Sequence, residues 1–298
     1  FFKLINLIKN LKPDLIQSWM YYSNFITIFI RLFYKVDIFW NIRASFYKKF
    51  YSFISRIVIY FSALNSHYIP KKIIYCSNES IINHEKIFYS NKKSILIPNG
   101  FSVYKKTSLN KDLLNLKKFN FNKNNIIFSM IARFDPHKNH NELVKKFETI
   151  IKQNNKVILI LVGSNISSKD NFLYQFIQKR KLSKNIILFD HIDNLDNLYS
   201  IIDFHILLSF SESFPNVIAE TMSRGIPNIS SNVGHASNII DKHGWIIENN
   251  DIHNLHLTIN KAINIYKNKD KFQLLRNNCI NHIANNYNLK KMIFSYNS

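Results

Sequence analysis

Apolar and polar positions alternate along this chain with two different periods. Short apolar runs bounded by Asn, Gly, Pro or Ser are typical of buried strands. The stretches between them place apolar residues three or four apart, which predicts amphipathic helices. Strands are predicted at 15–19, 36–43, 72–77, 94–98, 125–133, 156–163, 185–189, 204–210, 226–230 and 244–249. This alternation of strand and helix predicts an α/β fold with parallel sheets.

A Lys/Asn-rich, weakly periodic segment, residues 101–125, separates two halves of this kind. We interpret the segment as a linker with surface structure, and each half as a doubly wound, Rossmann-like domain facing a cleft. The predicted domains are residues 1–104 and 105–286, followed by a terminal helix at 287–298. The chain opens on Phe1 within a helical pattern, so we expect the N-terminal domain to be incomplete.

Composition and charge narrow the classes of function. The chain carries 40 Lys and Arg against 19 Asp and Glu, a net charge of +21, and 46% of its residues are apolar. It is therefore globular rather than disordered, and it should attract anionic lipid, nucleic acid or a phosphorylated substrate. Part of the charge reflects a composition rich in Lys, Asn, Ile and Phe, as an AT-rich genome produces. No zinc-finger or RNP-like motif is present, so we predict no nucleic-acid partner.

Cysteine use and hydropathy bear on location. Cys76 and Cys279 lie far apart in sequence, which fits a reducing compartment rather than a disulfide framework. No apolar run reaches the roughly 18 residues that a membrane span requires. The aromatic and basic helix predicted at 46–64 has two interpretations, a core helix over the first sheet or a surface that touches a membrane. We predict a cytoplasmic location, with attachment at the inner face of the membrane as the second interpretation.

The segment 209–227, SFSESFPNVIAETMSRGIP, lies between two predicted strands. Pro215 is typical of the first turn of a helix, and Gly225 ends that helix. Glu212 then lies in the loop before the helix, and Glu220 lies about a turn and a half inside it. Such a loop sits at the carboxyl ends of parallel strands, where ligands bind in α/β folds.

The same segment offers groups that match a nucleotide-sugar. The N–H groups of Asn216 and Val217 should point out of the helix N-terminus, where an anion is favoured. With Glu212 and Glu220, they match a diphosphate, the sugar hydroxyls and a ribose diol. The alternative is an ordinary capped helix with a solvated glutamate, and the segment alone leaves both interpretations open.

Two cations form a second candidate cluster. Arg133 and Lys138 flank a Pro turn in IARFDPHKNH, at the carboxyl end of the strand that opens the second half. A departing diphosphate gains negative charge, and two fixed cations, one of them a bidentate Arg, would stabilise it. In a chain with a net charge of +21 the pair could also be ordinary surface charge.

The residues 211–234, SESFPNVIAETMSRGIPNISSNVG, resemble the acidic signature of the retaining GT-B glycosyltransferases of family 4. ARFDPHKNH resembles the phosphate-binding loop of that family, with Asn139 where Gly is usual. Asn tolerates unusual backbone angles, so we expect the loop to keep its conformation with this residue. The resemblance implies a GT-B architecture of two facing Rossmann-like domains. It also implies that Glu212 orients the donor sugar and that Glu220 holds the ribose diol.

The resemblance extends over most of the chain. It implies donor binding by Phe214 and His191, although Asp190 replaces a common Gly beside the latter. YNLKKMIFSYNS resembles the terminal helix that completes the first domain. WNIRASF resembles the place where many relatives carry a histidine, and it offers Arg43, Ala44 and Ser45 instead.

The resemblance implies a retaining, metal-independent transfer of a sugar from a UDP- or GDP-sugar to a glycan or lipid-linked acceptor. It implies no cofactor and a role in surface polysaccharide or lipopolysaccharide synthesis. No Asp-x-Asp spacing occurs, and His253 and His256 lack a visible third ligand, so we predict no metal. Two alternatives are an inactive truncated relative that only binds nucleotide and a sugar-nucleotide epimerase of the same fold.

Overall fold

The computed structural model describes residues 1–102, 124–248 and 252–298. These residues form two compact units. The first comprises Phe1–Asn99, Glu212–Phe214 and Met292–Ser298, and the second comprises Gly100–Ser211 and Pro215–Lys291. Most of the predicted linker, and the predicted boundary between residues 104 and 105, lie outside the described residues.

Helices and strands alternate along the described chain. The strands are β1 (Leu15–Trp19), β2 (Asp37–Ile42), β3 (Lys72–Tyr75), β4 (Ser94–Leu96), β5 (Ile126–Ile131), β6 (Val157–Val162), β7 (Ile186–Phe189), β8 (Phe204–Leu207), β9 (Asn228–Ser231) and β10 (Trp245–Ile247). The helices are α1 (Phe2–Leu11), α2 (Met20–Phe33), α3 (Phe53–Asn65), α4 (Asn78–Glu85), α5 (His140–Gln153), α6 (Phe172–Lys179), α7 (Leu195–Tyr199), α8 (Asn216–Met222), α9 (Ala236–Ile240), α10 (Leu255–Lys267), α11 (Lys269–Asn286) and α12 (Leu289–Asn297). The predicted α/β class is confirmed.

The first unit is built on a parallel sheet in the order β1-β2-β3-β4. Trp40 pairs with Ser18 on one side and with Ile73 on the other, which fixes the register. The Trp40 ring is fully buried, and its indole Nε1–H donates to Thr27 Oγ1 of α2 at 2.8 Å. Burying an indole requires such a partner, since an unpaired N–H in the core is costly.

Helix α3, which lies in the aromatic and basic stretch 46–64, has both buried and exposed apolar side chains. It buries Val58 and Ile59 against the core of the first unit. It also exposes Phe53 and Ile54, whose side chains are about 70% accessible. Among the residues described, no helix combines the length and the apolar character needed to cross a bilayer.

The second unit is built on a parallel sheet in the order β10-β9-β8-β5-β6-β7. From β5 the chain adds β6 and β7 on one side and then returns to add β8 on the other. Phe128 of β5 pairs with Phe204 of β8, and their rings stack with centroids 5.0 Å apart. The strand order therefore reverses between β5 and β8, which is where open α/β sheets bind ligands, beyond the carboxyl ends of the strands.

Candidate functional site

The loop between β5 and α5, residues 132–139, carries both predicted cations, Arg133 and Lys138, at this reversal point. We call it the cation loop. The side chain of Arg133 is 72% exposed, and its Nη2 lies 3.3 Å from Asp135 Oδ2. The other oxygen of Asp135, Oδ1, accepts from the His137 N–H at 2.8 Å, and the Asp135 carbonyl accepts from the Lys138 N–H at 2.9 Å. Asp135 thus closes a tight turn that holds Arg133 and Lys138 on the same loop.

Asn139 ends this turn in the left-handed region, with φ 61° and ψ 33°, directly before α5. Asn139 therefore adopts the unusual backbone angles that Asn was expected to tolerate. Asn tolerates this conformation better than other side chains because its short polar group can bond to nearby backbone.

Gly163, directly after β6, has no side chain and so leaves room for the cation loop to pack closely against it. A Cβ at this position would lie 1.9 Å from the Ala132 carbonyl oxygen and 2.9 Å from the Arg133 Cα. The contact is secured by backbone hydrogen bonds, from Ala132 N–H to the Val162 carbonyl and from Phe134 N–H to the Ser164 carbonyl. The position of Arg133 therefore depends on a residue without a side chain on the neighbouring strand.

The loop after β8 is bonded to the cation loop. The Phe210 N–H donates to the His137 carbonyl at 2.8 Å, and Ser231 Oγ donates to the Ser209 carbonyl at 2.6 Å. These bonds replace the sheet ladder, so β8 ends at Leu207 rather than at residue 210 as predicted. The loops after β5 and β8 form one hydrogen-bonded edge of the second unit.

Glu212 and Phe214 cluster with the first unit. The Glu212 carbonyl accepts from Ser45 Oγ at 3.1 Å. Between the two residues, Ser213 Oγ lies 3.1 Å from Cys76 Sγ, and Phe214 is buried. The backbone of this short segment is therefore held by the turn that follows β2 and by the end of β3.

Asn216 and Val217 form the first turn of α8, with Pro215 as the residue before the helix rather than within it. Glu220 lies on the same helix, half-buried, and its Oε2 accepts from the Tyr199 hydroxyl at 3.3 Å. Burial, followed by the Glu220 carboxylate, raises the pKa of Tyr199. Tyr199 therefore stays protonated and donates to Glu220.

Sequence reasoning missed the cationic side of this cluster. Arg224 stacks over the Tyr199 ring at 4.3 Å and donates from Nη2 to Asp196 Oδ1 at 2.6 Å. Arg224 follows the end of α8, four residues after Glu220. The Arg224 Nη1 donates to the Glu220 carbonyl at 3.0 Å, and the Glu220 carboxylate accepts from the Tyr199 hydroxyl.

His191 lies in the loop after β7, and its Nε2 is 3.2 Å from Asp193 Oδ1 with both side chains exposed. Strand β6 separates β7 from β5. Because neighbouring strands lie about 4.8 Å apart, the His191 loop starts roughly 10 Å along the sheet from the cation loop. Donor binding by His191 stays a prediction.

Buried His205 holds the strands beneath the site in register. Its Nε2 accepts from the Ile131 N–H at 3.3 Å, so its Nδ1 carries the proton and donates to Asn228 Oδ1 at 2.8 Å. Asn228 Nδ2 in turn donates to Thr221 Oγ1 of α8 at 2.9 Å. Full burial lowers the pKa of His205 to about 4, and the ring is neutral at physiological pH.

Arg43, which follows β2, has a local role in the first unit. Its Nη1 donates to the Ile97 carbonyl at 3.1 Å and to Asn99 Oδ1 at 2.8 Å. The guanidinium also lies over the Trp19 ring at 5.1 Å, and its Nη2 donates to the Tyr296 hydroxyl. Arg43 thereby joins β1, the end of β4 and α12.

Comparison with known families identifies the chain. The family model described as "Glycosyl transferases group 1" matches residues 113–281, more than half of the chain. The chain therefore belongs to the group 1 family of glycosyl transferases, and the predicted family is confirmed.

Two curated relatives illustrate what this family includes. The Escherichia coli UDP-Gal:alpha-D-GlcNAc-diphosphoundecaprenol alpha-1,3-galactosyltransferase is 28% identical over 216 residues, which cover 70% of this chain and 54% of that protein. The capsular polysaccharide biosynthesis glycosyltransferase CapM of Staphylococcus aureus is 25% identical over 213 residues, covering 66% and 55%. The chain thus spans about half the length of the curated relatives it matches.

Solved structures show the fold independently of sequence. HepE from Anabaena, in complex with UDP and glucose, superposes with a TM-score of 0.83 at 16% identity, over 98% of this chain and 78% of that one. A glycosyltransferase from Rickettsia africae gives a TM-score of 0.76 at 18% identity, over 99% and 78%. These matches confirm the predicted class, Rossmann-like α/β units of the GT-B type.

Proposed function

We propose that this chain forms the body of a retaining glycosyltransferase that moves a sugar from a nucleotide-sugar to a glycan or lipid-linked acceptor in surface polysaccharide synthesis. The observation that carries the proposal is the placement of Arg133 and Lys138, in a family member, on the loop at the strand reversal of the second sheet. A UDP-sugar is the proposed donor. The E. coli relative is named for a UDP-galactose donor, and HepE was solved with UDP.

In the proposed mechanism the bond between the anomeric carbon and the diphosphate oxygen breaks as the acceptor oxygen bonds to that carbon from the same face. The acceptor proton passes to the leaving phosphate oxygen. Arg133 and Lys138 stabilise the diphosphate as its charge grows, assisted by the backbone of Asn216 and Val217. No metal takes part in this step.

The two glutamates and two further residues complete the proposed donor site. Glu212 orients the sugar hydroxyls, and Glu220 binds the ribose diol while Tyr199 donates to the same carboxylate. Phe214 and His191 contact the donor. The proposed assignment gives the first unit and the terminal helix to the acceptor and the second unit to the nucleotide.

A charge-matched comparison tests the cation loop. Lys138→Ala and Arg133→Ala should weaken UDP binding and lower kcat, because each lost charge-assisted hydrogen bond costs about 1.5–3 kcal/mol. Lys145→Ala removes an equal charge from α5, where Lys145 pairs with Glu142 at the surface, and should bind UDP as the parent does. Calorimetric titration with UDP decides, and equal losses in all three variants would contradict a specific diphosphate site.

The reaction itself requires a product assay. Incubation with UDP-sugars and a diphosphate-linked lipid sugar, in the presence of a chelator, should give an α-linked product from an α-linked donor. The anomeric configuration read by NMR tests retention, and activity in the chelator tests metal independence. Conversion of the donor sugar without any acceptor would favour the epimerase instead. Binding of UDP without turnover on any acceptor would favour the inactive relative.

We further propose that the chain acts at the cytoplasmic face of a membrane, where a lipid-linked acceptor is presented. Phe53, Ile54 and Leu64 of α3 are exposed, and the half-buried Arg56 lies over the Phe53 ring at 5.9 Å, a combination that favours an anionic lipid surface. Ile54→Ser should reduce flotation with phosphatidylglycerol vesicles. Leu274→Ser, which changes an equally exposed apolar residue on α11, should not. Equal flotation of both variants with the parent would contradict this surface.

A further inference from the structure

The turn between α9 and β10 and the helix α11 bring together three side chains that the proposed reaction does not use. Asp241 and His243 lie in the turn, and His282 lies near the end of α11. One ligating atom from each, a carboxylate oxygen and two ring nitrogens, lie within 4.8 Å of one another. The rings of His243 and His282 have centroids 5.0 Å apart.

Two features of His282 suit it to metal binding through Nε2. Its Nε2 is buried and has no hydrogen-bond partner among the described residues. Its Nδ1 lies 3.2 Å from the side-chain amide of Asn286, one turn later on the same helix. An amide can present its oxygen as well as its nitrogen, so the Asn286 oxygen can accept a hydrogen bond from Nδ1–H while Nε2 binds a metal. Metal-ligating histidines are usually oriented by such a partner.

The turn that carries the other two groups is fixed by its backbone. Asp241 has φ 49°, in the region that favours glycine, and its N–H donates to the Ser237 carbonyl at 2.8 Å. The His243 N–H donates to the Ile240 carbonyl at 2.9 Å. Gly244 allows the turn to pack, because a Cβ there would lie 2.4 Å from the Asn228 carbonyl oxygen. A strained, well-bonded turn therefore presents Asp241 and His243 toward α11.

We propose that Asp241, His243 and His282 bind a divalent transition-metal ion, with Zn²⁺ as the best match. Two imidazoles and one carboxylate suit Zn²⁺, whereas Mg²⁺ and Ca²⁺ prefer oxygen ligands alone. Ligand atoms around tetrahedral Zn²⁺ are about 3.4 Å apart, given bonds of about 2.0–2.2 Å. Rotation of the exposed Asp241 side chain would bring its carboxylate oxygen from within 4.8 Å of the ring nitrogens to this shorter distance, and water would be the fourth ligand.

The site is structural in this proposal and separate from the transfer reaction. The turn precedes β10 and so lies at the amino ends of the strands, whereas the cation loop lies at their carboxyl ends. All strands of a parallel sheet point the same way, so their amino ends and carboxyl ends lie on opposite sides of the second unit. The ion would clamp α11 to the turn, where Cys279 Sγ already donates to the His243 carbonyl at 3.3 Å.

The test uses the full chain without a histidine tag, treated with chelator and then dialysed. Calorimetric titration with Zn²⁺ should show one ion per chain, a rise in Tm on loading and no comparable effect of Mg²⁺. Co²⁺ should give the visible absorption of a nitrogen- and oxygen-ligated site. Asp241→Asn, His243→Gln and His282→Gln should each weaken Zn²⁺ binding by more than the roughly 10–100-fold that a lost orienting partner costs.

Two comparisons keep the proposal falsifiable. His256→Gln changes a half-buried histidine outside the cluster and should bind Zn²⁺ as the parent does. Asp241→Asn changes an exposed side chain, so its far-UV circular dichroism should match the parent and its loss of binding cannot be attributed to misfolding. The absence of stoichiometric Zn²⁺ binding would overturn the site, as would unchanged affinity in Asp241→Asn and His282→Gln.

Discussion

Gly163→Ala tests whether the cation loop is positioned by the close approach of the neighbouring strand. The added Cβ would meet three backbone atoms, the Ala132 carbonyl oxygen at 1.9 Å, its carbon at 2.5 Å and the Arg133 Cα at 2.9 Å. None of these can rotate away as a side chain would, so the loop must move by more than an ångström to restore contact. Overpacking of this kind costs about 1–3 kcal/mol.

The displacement should also change binding. Arg133 would move with its Cα, and losing its charge-assisted bond to a diphosphate costs about 1.5–3 kcal/mol, or roughly 10–150-fold in affinity. The proposed site thus predicts that Gly163→Ala weakens UDP binding in the protein that remains folded. Titration with UDP at a temperature well below the melting transition, checked by circular dichroism, measures this loss.

Gly244→Ala supplies the matched control for this experiment. Its Cβ would lie 2.4 Å from the Asn228 carbonyl oxygen, a comparable backbone clash at the amino ends of the strands of the same sheet. It should lower Tm, by about 2–4 °C per kcal/mol for a unit of this size, and leave UDP affinity unchanged. Equal UDP affinity in Gly163→Ala and the parent, or equal losses in both glycine variants, would refute the reasoning.

Three further predictions concern pH, the first unit and the carboxylates. His205 has a pKa of about 4 in the folded chain, against an ordinary histidine pKa of 6.5. As the pH falls below 6.5, the unfolded chain therefore binds the proton before the folded chain does. The free energy of unfolding should fall by about 1.4 kcal/mol per pH unit as the pH is lowered from 6.5 to 4. Denaturation at several pH values should show a smaller slope in His205→Asn and the parental slope in His256→Gln. Arg43→Lys loses the two-acceptor geometry of Nη1 and should lower the free energy of unfolding by about 1–3 kcal/mol, while Arg43→Lys with parental stability would contradict this. Glu220→Gln should weaken UDP binding roughly tenfold, whereas Glu212→Gln should alter turnover of the UDP-sugar only. Equal effects of the two variants on UDP binding would contradict these assignments.

The sequence predicted those parts of the fold that depend on local pattern. Largely apolar runs such as 126–131 and 157–162 became the central strands because a parallel strand covered on both faces has no polar alternation. The turn at Asn139 followed from the conformational tolerance of Asn. Both inferences need no knowledge of which strands become neighbours.

Features that depend on long-range pairing could not be predicted in this way. Gly163 follows an apolar strand like many glycines, and only the register of β5 and β6 shows that it contacts Arg133. The pairing of Arg224 with Asp196 requires α7 and α8 to be neighbours. His243 and His282 are likewise far apart in sequence, and packing of α11 on the turn before β10 brings them together.

The motif containing the two glutamates is continuous in sequence but divided in packing. Glu212 to Phe214 cluster with the first unit, and the chain from Pro215 onward, including Glu220, clusters with the second. The backbone at Glu212 is held by Ser45, whereas the Glu220 carboxylate is set by Tyr199 within the nucleotide-binding unit proposed here. A perturbation of the Ser45 turn should therefore act through Glu212 on the sugar and leave the binding of free UDP unchanged. Spacing alone treats the two carboxylates as one element, but their different supports make them separable parts of the proposed site.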